Sequence, residues 1–152
     1  MHDIHTHIGQ FYQTKYDFHN IFMALKNNGI TETTFAYLTP LFTDSAPAIE
    51  FYNAMTQETK AALDFAKKID LKVNPLYWID PMVLFGGITL ESILNDLDYK
   101  GLVVHPFLND WNPSDEKRAN LLTQIFEFAE KKNYEIYFHT GCSERDNPLI
   151  FE

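Results

Sequence analysis

The chain has 152 residues, 45% of them apolar and 15% aromatic, enough for one domain of ordinary size with a real core. A net charge of −9 argues against nucleic acid and against an anionic membrane surface as partners. The single cysteine, Cys142, excludes an internal disulfide; with no signal peptide legible and no apolar run near the roughly 20 residues of a membrane helix, a soluble cytoplasmic protein is expected.

Met1 to His7 reads as a short strand and Gln10 to Lys15 as a polar loop holding Phe11 and Tyr12. Phe18, Ile21, Phe22 and Leu25 recur at the i, i+3, i+4, i+7 spacing of an amphipathic helix, which Asn27-Asn28-Gly29 ends. Ile30 to Leu38, rich in Thr, Phe and Tyr, reads as a second strand stopped by Pro40. Ser45 to Lys68 is helical, with Ser45 as N-cap, Pro47 in the first turn and a break near Thr56. Leu71 to Trp78 is a third strand closed by Asp80-Pro81, and Phe85-Gly86-Gly87 a loop.

Thr89 caps a short helix with Glu91 in its first turn and Ile93, Leu94 and Leu97 on its apolar face. Gly101 to His105 is a fourth, almost wholly apolar strand, the kind covered on both faces in parallel sheets. After the loop Trp111-Asn112-Pro113, Ser114 caps a helix whose stripe is Leu122, Ile125, Phe126 and Ala129. Tyr134 to His139 is the fifth strand, and Gly141 to Glu152 has no clear period. Strict β-α alternation predicts a parallel sheet with right-handed crossovers. Open doubly wound sheets and (β/α)8 barrels both begin so, and the lack of a GxGxxG turn after the first strand weakens dinucleotide binding.

Four of the six histidines close predicted strands, where parallel α/β folds bind ligands: His5 and His7, His105, and His139. At i and i+2 on a strand, His5 and His7 point the same way and make half of a metal site. Asp3 should face with His5 and could orient it. His105 is the candidate catalytic group, and Asn109, Asp110 and Trp111 share its mouth. Cys142 reads as buried or incidental; His2 and His19 receive no role.

Asp3-Ile4-His5-Thr6-His7, Gly101-Leu102-Val103-Val104-His105-Pro106 and Ile136-Tyr137-Phe138-His139-Thr140-Gly141 together resemble the metal-dependent hydrolases of the amidohydrolase superfamily, and more narrowly the branch that also holds metal-dependent decarboxylases and lactonases. The resemblance implies a (β/α)8 barrel, with His5, His7 and His139 holding one divalent metal, zinc above all, with Mn, Fe or Ni as alternatives, that activates water or polarises a small-molecule substrate. Val103 stands where the family often has a lysine, which favours a single ion. A barrel of about 250 residues would be represented by one partial domain, 1–152, and the family's later histidine and aspartate have no counterpart. The implied function is metal-dependent hydrolysis; the alternatives are decarboxylation or lactone chemistry on a small carboxylic acid, or a catalytically incomplete metal-binding or oligomerising fragment. Strands one and five should be open edges exposing Val103, Val104, Ile136 and Phe138 and covered by a homo-oligomer, or by Leu149-Ile150-Phe151 folding back.

Overall fold

Residues 1–11, 14–38, 48–79, 84, 87, 89–105 and 114–139 are described by the computed structural model. In chain order they form β1 (His2–Phe11), β2 (Thr14–Tyr16), α1 (Phe18–Asn27), β3 (Glu32–Leu38), α2 (Ala48–Lys68), β4 (Lys72–Trp78), α3 (Leu90–Asp96), β5 (Gly101–Val104), α4 (Glu116–Lys132) and β6 (Glu135–Phe138).

Local chemistry sets most of these boundaries. Asp17 Oδ1 accepts from the Asn20 N–H at 3.2 Å and starts α1, whose Phe18 and Phe22 turn inward. The helix closes at Asn28, and Gly29 takes the left-handed φ of +77° that a side chain would resist. Thr89 caps α3 as expected, accepting from Ser92 N–H at 3.2 Å. The cap of α4 is Asp115, not Ser114: its Oδ1 accepts from the N–H groups of Lys117 and Arg118 at 3.0 and 3.1 Å. A carboxylate caps as well as a hydroxyl and adds a negative charge at the positive end of the helix dipole. The helix α2 runs unbroken through Thr56. The expected N-cap Ser45, with Pro47, Asp80-Pro81 and Phe85-Gly86, lies outside the described residues.

The stretch read as a polar loop after His7 is strand. β1 continues to Phe11 and β2 returns antiparallel beside it, pairing Gly9 with Tyr16 and Gln10 with Lys15. Gln10 and Lys15 are exposed partners on a solvent-facing ribbon, so their polarity marks a surface and not a break. Five strands were expected; six are present among the described residues, in the order β2-β1-β3-β4-β5-β6, and β2 rather than β1 is one edge of the sheet. All other pairings are parallel. The parallel strands follow chain order without reversal, so the described sheet lacks the switch point of a doubly wound fold.

The four helices among the described residues pack on one face. Phe22 of α1 and Ala62 and Ala66 of α2 meet Ile8 and Phe35, while Leu94 of α3 and Ile125 and Phe128 of α4 meet Tyr77, Leu102 and Val104. The opposite face holds a cluster made of strand residues alone: Ala36, Leu38, Leu76, Trp78 and Val103, with Tyr137 against it. Val103 and Val104 are fully buried, contrary to the expectation that they lie bare; Phe138 is 38% exposed beside Phe126 at 44%, and Ile136 is half-buried. The tail Leu149-Ile150-Phe151 lies outside the described residues.

The sheet is curled. β1 and β6 stand four strand steps apart, about 19 Å if the sheet were flat. Their inner side chains nevertheless touch: the His5 and Tyr137 rings stack with centroids 5.3 Å apart. The hydrogen-bonding register is also slanted. From His7 it runs through Ala36, Leu76 and Gly101 to Glu135, yet His7 faces His139, four residues further along. Strands tilted across a curved surface give such an offset. Gly101 permits the close packing on this path, since a Cβ there would run into the Glu135 carbonyl.

Candidate metal centre

The site begins with an irregularity in β1. Asp3 pairs with Thr33, but Thr6 pairs with Phe35, so one extra residue of β1 is taken up between them. A bulge of this kind resets the side-chain alternation. It sends Asp3 to the helix side, where its Oδ2 accepts the Thr33 hydroxyl at 2.7 Å. His5 and His7 go to the inner face. Asp3 therefore does not face with His5 as the plain i, i+2 reading predicts. The strand also runs past both histidines, which lie within β1 and not at its end. The slant of the sheet brings them level with the end of β6.

His139 follows the last residue of β6, and its N–H donates to the Val104 carbonyl at 3.0 Å, which carries the ladder one bond further and fixes its backbone. Its ring centroid lies 5.7 Å from that of His5 and 6.4 Å from that of His7, and His5 and His7 are edge to face at 4.4 Å. Each of the three offers one ring nitrogen such that all three nitrogens lie within 4.8 Å of one another. The sequence separates His7 from His139 by most of the chain; the curl brings them together.

These imidazoles are half-buried and short of partners. Both ring nitrogens of His5 and Nδ1 of His7 are shut from water with no hydrogen-bond partner. Leaving a buried polar atom unmet costs about 1–3 kcal/mol. Burial also favours the neutral rings. His7 is pushed down to about 4, first by burial and then by the charges that His5, His139 and His105 would carry. His5 is lowered by burial and by His139, with Asp3 pulling the other way, and His139 is lowered by burial. At neutral pH all three present lone pairs, as a metal requires. The donor set and the unmet nitrogens fit a divalent ion that accepts imidazole.

His105 stands beside this set, not in it. Its ring stacks on His139 at 4.5 Å and on Trp78 at 5.3 Å, the latter pair tilted by only 5°. Burial, then the neighbouring His139, hold it at about 4. Trp78 and Tyr137 complete the wall. Sequence reading assigned neither, although alternation was the available signal: Tyr137 precedes His139 by two residues and Trp78 ends β4. His19 packs on Phe18 and Phe65 of the helix layer, away from the site. Asn109, Asp110, Trp111, Pro106, Thr140, Gly141 and Cys142 lie outside the described residues.

Among the described residues no Asp or Glu joins the three histidines in a potential ligand group, and no helix is long and apolar enough to cross a membrane. Compared with models of known families, with curated proteins and with solved structures, the chain matches none.

Proposed function

We propose that this chain is a metal-dependent hydrolase domain of the amidohydrolase type, with one divalent ion, zinc first, held by His5, His7 and His139. One observation carries the reading: three imidazoles from the two ends of a five-stranded parallel run converge, with buried nitrogens that nothing else satisfies. The curl and slant support an arc of a (β/α)8 barrel. A barrel with a shear of eight over eight strands drifts one residue per strand, and the offset from Glu135 to His139 is four residues over four steps. Among the described residues, the helices on one face and the parallel strands in chain order agree with that arc.

When bound, such an ion supplies Lewis acidity that polarises a substrate carbonyl or activates water. The chain's own part is to keep three rings neutral by burial and to hold two of them on one rigid strand. Trp78, only 3% exposed, backs the site and limits water on that side. The substrate is a small molecule, and hydrolysis is preferred to the decarboxylase or lactonase chemistry of the same branch. A second reading, a metal-binding module without its own base, is favoured by the lack of a carboxylate beside the three histidines among the described residues.

The test is metal content. The purified chain should take up one equivalent of zinc, and His139→Ala should lose it. A protein that binds none at micromolar zinc, or binds equally well without His139, overturns the assignment. As a partner this reading takes a second copy against the β6 edge, beside the exposed Phe126 and Phe138; a monomer by sedimentation at micromolar concentration would reject it.

A further inference from the structure

His139 is the member of the site with the weakest support. It sits just past the end of β6, an edge strand of four residues paired on one side only among the described strands. Two of those four residues, Glu135 and Phe138, are exposed. A backbone bond to Val104 fixes where its Cα lies, but not how its ring turns about χ1 and χ2. A ligand ring that can swing must be ordered each time an ion is bound, and that ordering is subtracted from affinity.

The ring is nevertheless held by flat neighbours. Trp78 ends β4, His105 and His139 follow the last residues of β5 and β6, and the three rings lie near-parallel and offset, with Trp78 and His139 both in reach of His105. The planes of Trp78 and His105 differ by 5° with centroids 5.3 Å apart; His105 and His139 differ by 26° at 4.5 Å; Trp78 and His139 differ by 24° at 6.5 Å. Trp78 is almost fully buried in the cluster that holds Leu76, Val103 and Leu38, which restricts its ring. His5 approaches His139 from another side, at 5.7 Å and 52°. His139 therefore has the near-parallel rings of His105 and Trp78 at 4.5 and 6.5 Å, and its fellow ligands His5 and His7 at 5.7 and 6.4 Å.

We propose that His105 is a positioning residue: a flat spacer, backed by Trp78, that turns the imidazole of His139 toward His5 and His7. This rests on the metal reading above and deepens it. In this role the face of His105 matters and its nitrogens do not, which separates it both from a fourth ligand and from a group that moves protons.

The separation can be read with two substitutions in the full chain. His105→Phe keeps a flat ring and removes both nitrogens; His105→Ala removes the ring. Zinc affinity is measured by competition with a chromophoric chelator, and ligand geometry by the visible spectrum of the cobalt(II) form. His105→Ala should weaken zinc binding roughly 10–100-fold, the usual effect of losing a group that orients a ligand, and should change the cobalt band. His105→Phe should restore affinity to within about threefold of the parent and keep the band. Loss in the phenylalanine variant equal to that in the alanine variant overturns the proposal, as does an alanine variant that binds like the parent. If His105→Ala does not fold, His105→Leu, which fills volume without a flat face, takes its place with the same expectation.

A second measurement needs no metal. In chelator, each of the two ring C–H protons of His139 should give one narrow NMR signal in the parent and in His105→Phe, and a broadened one in His105→Ala. Equal widths in all three overturn the positioning role. A parent that fails to bind zinc but shows this pattern removes the metal reading and leaves the stack.

Discussion

Two regions of the same sheet treat their polar groups in opposite ways. Where β1, β3 and β4 begin, polar side chains satisfy one another. The Glu32 carboxylate accepts from Lys72 at 2.7 Å and from Asn74 at 2.9 Å, and Asp3 accepts from Thr33 at 2.7 Å. The Lys72 and Asn74 hydrogen bonds hold Glu32 below the usual carboxylate range. On the inner face, three histidine nitrogens are buried with no partner. The chain supplies Thr, Asn and Glu where they close networks and surrounds the histidines with Trp78, Tyr137 and one another. Paired polar groups stabilise a fold; converging unpaired ones call for an explanation, and the proposed ion supplies one. The contrast is open to attack at both ends.

The largest effect is expected from the proposed ion. A ligand that binds only the folded chain stabilises it by about 2.7 kcal/mol at a hundred times its Kd. For a chain of this length that is a rise in Tm of roughly 5–11 °C. Calorimetry with zinc and with EDTA should show the rise in the parent and none in His139→Ala. An equal rise in both would place the ion elsewhere.

Next comes pH. The histidines have depressed folded values, about 4 for His7 and His105 against an ordinary 6.5. Between these values the unfolded chain binds more protons than the folded one, so acid favours unfolding. The contribution is complete above pH 6.5, fades as pH falls, and is gone once pH passes below about 4. In EDTA, the urea midpoint should fall across that window by an amount equivalent to a few kcal/mol. His7→Phe should flatten the fall. A parent midpoint unchanged from pH 7 to 4.5 would mean the rings are not buried as described.

A pair of substitutions with opposite signs tests the contrast directly. In EDTA, His5→Phe removes two unmet nitrogens, keeps the stack on Tyr137 and should raise stability by about 1 kcal/mol while abolishing zinc binding. Thr33→Val removes the donor to Asp3 and should lower it by about 1–3 kcal/mol. Urea titrations of the two read the signs. A loss in both would mean that the inner face is satisfied in a way its geometry does not convey.

Much of this was legible in the chain. HTH on the first strand and HTG after the last are local patterns, and strand alternation is enough to turn their rings inward. The parallel order followed from strict β-α alternation. What stayed hidden depends on relations between strands. The bulge that sends Asp3 to Thr33 has no local signature, because a single extra residue looks like any other in the sequence. The offset that levels His7 with His139 is set by the tilt of four neighbouring strands. The β1-β2 hairpin hides in the sequence because the polarity of Gln10 and Lys15 looks like a loop, while only their alternation along the ribbon marks strand. Trp78 went unassigned because a tryptophan at a strand end reads as core, and it is core; what gives it a second meaning is His105, one strand away.

The smallest effect sharpens the satisfied region. Lys72 and Glu32 are in contact, but the lysine side chain is 67% exposed and Glu32 is 27% exposed, so water and salt screen the pair. Exposed ion pairs contribute little because holding two long side chains still offsets a weak attraction. Glu32 also keeps its bond from Asn74 when the lysine is lost. Lys72→Met should therefore lower the urea midpoint by much less than Thr33→Val, and the difference from the parent should shrink further between 0.05 and 0.5 M salt, as the screening length falls from well above 10 Å to well below it. Thr33 is fully buried, so the hydroxyl side of its bond to the half-buried Asp3 is less open to water than the Lys72–Glu32 pair. If Lys72→Met proves as damaging as Thr33→Val, and insensitive to salt, then the start of the strands is held by charge and not by buried hydrogen bonds, and the contrast with the histidine face would have to be drawn between charged and neutral groups instead.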